Sequence, residues 1–293
     1  MSAAALALVL AAALLHAFWN VVAKKTGGDA RFALISAVLL VVVWAPLGVA
    51  FGWRAVPSWG GLEWAVLLAS AVVHVVYFTT LLRGYRLADL TVVYPVARGT
   101  GPLLSSLGAI LWLGERLTVV AAAGVVGVAV GVFFIAGGPS LWAKAHDPLQ
   151  RERVRAGLVW GGLTGALIAG YTLIDGYAVK VLAIAPVLVD YVGNLLRVVF
   201  LLPAGLRDRR GFADVWRAQW RAALVVAVLG PLGYVLVLYA VQIAPLSHVA
   251  PAREVSMLFA ALIGGRLLGE ADRATRLVGA ACIAGGVAAL ALG

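Results

Sequence analysis

Three polar pairs recur four residues apart inside apolar stretches: His16 and Asn20, Tyr94 and Arg98, Tyr171 and Asp175. In a helix that spacing puts both members of a pair on one face. His74 and Tyr77, three apart, share a face in the same way. The groups on offer are a carboxylate, a guanidinium, imidazoles and phenols. Such groups hold a ligand rather than break bonds: a carboxylate or an aromatic face suits an ammonium, and a guanidinium suits a carboxylate. Trp19, Tyr234 and Tyr239 add aromatic surface, and the neighbours Arg253 and Glu254 add a second guanidinium and a carboxylate. An aromatic pocket with a few polar anchors is the usual form of a small-molecule site. These thirteen residues are the candidate substrate-binding set.

Each charged member also has a structural reading. Arg98 and Arg253 can pair with Glu254 or reach an interface, and Asp175 can pair with Lys180. Asp190 and Arg197, seven apart on one face, read as a structural pair or a bundle contact. No catalytic set stands beside them. The chain has no His-Glu-x-x-His, no nucleotide-binding glycine motif and no nucleophile elbow. Gly161-Gly162-Leu163-Thr164-Gly165 lacks the lysine of a phosphate loop. No metal or cofactor is expected, and the single cysteine, Cys282, allows no disulfide framework.

The elements that carry these residues are transmembrane. The chain has 293 residues, 63% of them hydrophobic and 12% charged, with a mean hydropathy of +1.01. Soluble domains carry about 25% charged residues. A helix needs roughly 20 apolar residues to cross a bilayer. Ten such runs are present, near 3–23, 32–53, 62–82, 91–113, 117–136, 156–178, 185–206, 221–241, 247–268 and 275–292. The longest polar stretch, 138–155, reads as a linker between a first repeat, 1–137, and a second, 156–293; the stretch 207–220 reads as the next longest link.

A shift of 155 residues superposes the two parts. Leu113-Gly114-Glu115 falls on Leu268-Gly269-Glu270, Arg98 on Arg253, Gly124 and Gly131 on Gly279 and Gly286, Lys25 on Lys180, and Asn20 on Asp175. In the second and third helices of each part the shift becomes 157, pairing Pro46 with Pro203 and Tyr77 with Tyr234. An odd number of spans per repeat inverts the second repeat, which places a shared site near the midplane. The expected fold is therefore all-α, ten transmembrane helices as two inverted five-helix repeats around a central cavity. The glycines of the fifth and tenth helices allow close helix packing, inside one chain or between two, so a monomer and a homodimer both fit.

The net charge of +10 does not mark a nucleic-acid binder, because the basic residues sit in short links. The links after the odd-numbered spans, counted with the flanking ends of the spans, hold 17 Lys and Arg, and those after the even-numbered spans hold 3. By the positive-inside rule the first set faces the cytoplasm, beside anionic lipid, and both termini face outward. The N-terminal apolar run lacks a basic leader region and reads as a retained first helix.

Two motifs carry a family resemblance. The first helix ends His16-Ala17-Phe18-Trp19-Asn20-Val21-Val22-Ala23-Lys24-Lys25, and the fourth and ninth end Leu113-Gly114-Glu115-Arg116 and Leu268-Gly269-Glu270. Together they resemble the duplicated EamA-type domains of the drug/metabolite transporter superfamily, over nearly the whole chain. The resemblance implies a ten-span carrier of a small-molecule substrate in the inner membrane, working by alternating access. Many EamA-type members carry basic residues ahead of the first helix and read as termini-in; this chain has none there. The leading expectation is export of amino acids, aromatic ones included, or of similar amphipathic metabolites. Drugs, nucleotide sugars and sugar phosphates are the alternative cargoes, and an intramembrane enzyme or a scaffold is the alternative class.

Overall fold

The computed structural model of the chain describes residues 1–26, 30–88, 90–135, 148–263 and 273–293. Every element among them is helical. The first half contributes α1 (Ala3–Lys25), α2 (Ala30–Ala55) with a 3-10 turn (Val56–Ser58), α3 (Gly61–Leu87), α4 (Leu90–Leu113) and α5 (Val119–Ile135). The second contributes α6 (Pro148–Lys180), α7 (Pro186–Leu206), α8 (Arg209–Ile243), α9 (Leu246–Ala252), a 3-10 turn (Arg253–Val255), α10 (Ser256–Ile263) and α11 (Arg273–Leu292). Seven of these, α1, α2, α3, α6, α7, α8 and α11, are long and apolar enough to cross a bilayer, and α5 is a shorter apolar helix. Large apolar side chains such as Val42, Trp53, Leu111, Trp112 and Val199 lie exposed on the outer surface. Water would not tolerate so much bare apolar surface on one chain; lipid does.

Three elements depart from the sequence reading. Residues 148–155, read as the end of the linker, are the first turns of α6. Most of 207–220, read as a link, is helical, because α8 starts at Arg209. Polarity there does not break the helix, because Arg, Ala and Gln are good helix formers, and Asp208 caps the start by accepting from the Gly211 N–H at 3.0 Å. Arg31 pairs with the same carboxylate at 3.2 Å. At 33 and 35 residues, α6 and α8 are about 50 Å long, against an apolar slab of ~30 Å. The charged turns therefore stand clear of the slab. The third departure is the expected span 247–268, which is split into α9, a 3-10 turn and α10; its last residues, 264–268, lie outside the described residues.

Proline explains that split and a second irregularity. A proline cannot donate to the carbonyl four residues back, which must find another donor in a dry environment. Pro251 frees the Ser247 carbonyl, and the Ser106 hydroxyl of α4 donates to it at 3.0 Å. Pro231 frees the Ala227 carbonyl of α8, and the Trp44 indole of α2 donates to it at 3.1 Å.

The main contacts pair α5 with α11, α4 and α3 with α6, α1 with α8 and α10, and α2 with α7 and α8. Exchanging the halves maps this pattern onto contacts that are also present: α1–α8 becomes α6–α3, α4–α6 becomes α10–α1, α2–α8 becomes α7–α3, and α2–α7 and α5–α11 return to themselves. The seam between α5 and α11 shows it at atomic scale. A Cβ on Gly124 would lie 2.8 Å from the Gly286 carbonyl oxygen, and one on Gly131 would lie 2.6 Å from that of Gly279. As the number rises along one helix it falls along the other, so the two are antiparallel. Each glycine meets the repeat mate of the other, a reciprocity typical of a two-fold contact. Two-fold mates run antiparallel only when the axis is perpendicular to them.

Candidate functional site

A cavity of about 660 Å³ lies between α1, α2, α3, α4, α6, α7 and α8. That is room for a metabolite-sized ligand. Each helix presents one stripe to it. α1 gives His16, Trp19 and Asn20; α4 gives Tyr94 and Arg98; α6 gives Thr164, Ile168, Tyr171 and Asp175; α7 gives Asp190, Asn194 and Arg197. Apart from the adjacent Trp19 and Asn20, successive members of each set are three or four residues apart, so each set lies along one helical face. The cavity runs from Asp175 toward Ala23, Phe32, Tyr85 and Leu201. Those residues lie near the ends of α1, α3 and α7 and the start of α2, the side of the arginine-rich links.

Asp175 is fully buried and anchors a polar cluster. Ser70 donates to its Oδ1 and Tyr234 donates to its Oδ2, both through short bonds. His74, one turn along α3 from Ser70, places Nδ1 2.9 Å from the Ser70 carbonyl oxygen. A carbonyl only accepts, so Nδ1 carries the proton and Nε2 is left as an acceptor. The His74 ring stacks on Tyr171 at 3.9 Å and 25°, and Tyr77 meets Tyr171 edge-on at 5.5 Å. Tyr234 stands edge-on to His74 at 6.3 Å. On α1, His16 and Trp19 form an edge contact at 5.0 Å, Asn20 Nδ2 donates to the His16 carbonyl at 2.7 Å, and the Trp19 indole N–H is buried without a partner.

Arg98 is committed elsewhere. Its Nη2 lies 2.7 Å from Glu254 Oε2 and donates to Ser256 Oγ at 3.2 Å. The pair joins α4 to the 3-10 turn of the second half. Arg253, the repeat mate of Arg98, lines the cavity with its Nε buried and unpartnered.

Eleven of the thirteen candidate residues line this cavity: His16, Trp19, Asn20, His74, Tyr77, Tyr94, Arg98, Tyr171, Asp175, Tyr234 and Arg253. Two do not. Glu254 is buried behind Arg98, and Tyr239 packs beside Leu40 and Trp44. Asp175 is not the partner of Lys180, which pairs with Glu115. Asp190 and Arg197 form no salt bridge among the described residues, although they lie within electrostatic reach of each other; both line the cavity. Ser70 was not foreseen. Following the His74–Tyr77 face back one turn would have found it.

The far end of the molecule is shut by a second cluster. Gly114, at φ +67°, ends α4 in the left-handed conformation that glycine adopts freely. Glu115 follows, and its Oε1 takes the Lys180 ammonium and the Leu246 N–H, each at 2.8 Å; its Oε2 takes the Ser247 N–H at 2.8 Å. Burial alone would raise the Glu115 pKa, but the Lys180 ammonium and the Ser247 and Leu246 N–H groups outweigh it and hold the carboxyl below its ordinary value. These bonds tie the α4–α5 link of the first half to α6 and α9 of the second.

No curated protein matches the chain. Among solved structures, one described only as "Crystal structure of protein" superposes with a TM-score of 0.73 at 18% identity, covering 100% of this chain and 98% of the other. That likeness is one of fold. The model of the EamA-like transporter family matches residues 3–137 and 155–292, which is nearly all of both halves. The chain, a multi-pass helical membrane protein with a central cavity, belongs to the EamA-like transporter family.

Proposed function

We propose that the protein is a ten-span secondary carrier, built as two inverted five-helix repeats, that exports amino acids or similar zwitterionic metabolites by alternating access. The exchange symmetry of the helix contacts and the antiparallel glycine seam support the inverted arrangement. One observation carries the substrate class: a single cavity presents carboxylates, Asp175 and Asp190, and guanidinia, Arg197 and Arg253, beside an aromatic cluster of stacked His74 and Tyr171 with Tyr77 edge-on. In a wall of low dielectric a bare charge is costly, and a zwitterion offers one partner of each sign. The aromatic stack favours a flat or apolar side chain on the cargo. Two wall carboxylates oppose a phosphate or nucleotide cargo.

The orientation follows from the links. With the 17 basic residues in the cytoplasm, the termini face outward, the cavity is directed to the cytoplasm, and the Glu115–Lys180 cluster closes the outer side. Purified protein in liposomes should show counterflow of labelled aromatic or branched amino acids. Absence of counterflow with every amino acid would sink the substrate reading. A reporter active only in the cytoplasm, fused at the C-terminus, should be silent, and activity there would reverse the orientation.

A further inference from the structure

The cavity's charges are not equivalent. Arg98 is held by Glu254 and by Ser256. Asp175 has a hydroxyl donor on each oxygen. Three charged side chains remain that line the cavity and form no ion pair among the described residues: Arg253 on the 3-10 turn, and Arg197 and Asp190 on α7. The Nε of Arg253, like that of Arg98, is buried without a hydrogen-bond partner, but only Arg98 has an Nη group in an ion pair. The Asp190 carboxylate has the Asn194 amide beside it and lies within electrostatic reach of Arg197 and Asp175, but no cation among the described residues touches it. A buried guanidinium edge without an acceptor, and a carboxylate with no cation in contact, are groups that a cargo can partner.

We infer that Arg253, supported by Arg197, receives the substrate carboxylate, and that Asp190 receives the substrate ammonium. This rests on the reading that the cavity takes a zwitterion. It assigns unequal roles to repeat mates: Arg98 fixes the wall, and Arg253 meets the ligand. A planar guanidinium with a free Nε–H and Nη–H edge can take both oxygens of one carboxylate. Asp190 lies on the stripe that also carries Asn194, whose buried Oδ1 is unpartnered and can take a further ammonium hydrogen. Arg253 and Arg197 both lie within electrostatic reach of Asp175 and His74, so anion and cation sites share one chamber.

Two single-charge probes separate the roles. 3-Phenylpropanoate has the carboxylate and no ammonium, and phenethylamine has the ammonium and no carboxylate. Binding of each to the purified full-length protein in nanodiscs is measured by calorimetry. Arg253→Gln should weaken 3-phenylpropanoate by at least about tenfold and leave phenethylamine within about twofold; Asp190→Asn should do the reverse. Arg253→Lys should restore part of the anion response, as a point charge replaces the planar fork. Equal weakening of both probes by Arg253→Gln, no weakening of either, or no binding of either probe by the unaltered protein would overturn the assignment. Probes that sort as expected while no amino acid crosses liposomes would sink amino-acid export and leave the assignment standing.

Discussion

Removing Arg98 should unfold the protein before it impairs recognition. The Glu254 side chain is 1% exposed and that of Arg98 15% exposed, so this is a buried pair and not a surface one. Arg98→Ala leaves the buried Glu254 carboxylate without the guanidinium it touches. Stranding one partner of a buried ion pair costs about 3–5 kcal/mol. At about 1.4 kcal/mol per decade, that is roughly two to four orders of magnitude in the folding equilibrium. Removing both charges together, Arg98→Met with Glu254→Leu, leaves nothing stranded and should recover all but about 1–2 kcal/mol. The measurement is equilibrium unfolding in mixed micelles at increasing denaturing detergent, followed by tryptophan fluorescence, for the two single variants and the double. A coupling energy above about 2 kcal/mol is expected. Additive losses, or an Arg98→Ala protein within about 0.5 kcal/mol of the parent, would refute the claim that the pair holds the two halves together.

Three further outcomes follow from the geometry. Gly131→Ala places its methyl 2.6 Å from the Gly279 carbonyl oxygen, whereas Gly162→Ala meets nothing within 4 Å; the first should lower thermal stability by about 1–3 kcal/mol and the second should not, and equal behaviour would refute the tight seam. Glu115 titrates below its ordinary value of 4.5, so its contribution is complete above that pH and is lost as pH falls through the lowered value; Glu115→Gln should be less stable at pH 7 and should lose less on acidification, and parallel pH profiles would show the cluster contributes nothing. Asp175→Asn turns an amide N–H₂ toward one of two hydroxyl donors and should weaken substrate affinity by about tenfold while changing the pH dependence of flux less; uphill accumulation driven by a pH gradient alone, lost in this variant, would make Asp175 a proton-coupling site instead.

Local faces were legible in the sequence, and tertiary partners were not. His16 with Asn20 and Tyr171 with Asp175 line the cavity because helical spacing is a local property. That Arg98 would spend its charge on Glu254 depends on how α4 meets a turn 155 residues away, and no spacing rule carries that distance. Ser70 escaped notice because a lone serine in an apolar helix bonds equally well to its own backbone. Residues 148–155 and 209–220 were read as links because charge density was taken to end a helix, when it ends only the part of a helix that lipid can cover. The split at Arg253–Val255 was signalled by Pro251, but the extent of the break depended on Ser106 capturing the freed carbonyl.

The seam between α5 and α11 bears on how two copies of one ancestral unit can diverge. Most mated positions are free to drift: His16 stands where its mate is Tyr171, and Asn20 where its mate is Asp175. A chamber can trade one lining group for another and simply change its cargo. Gly124 and Gly131 face Gly286 and Gly279 with backbone against backbone. A larger residue on one side has no smaller residue to turn to on the other, because glycine is already the smallest. No second change can rescue the first without parting the helices. Each copy thus holds the other's glycines hostage, and the duplication that freed the cavity to specialise left this line of contact unable to.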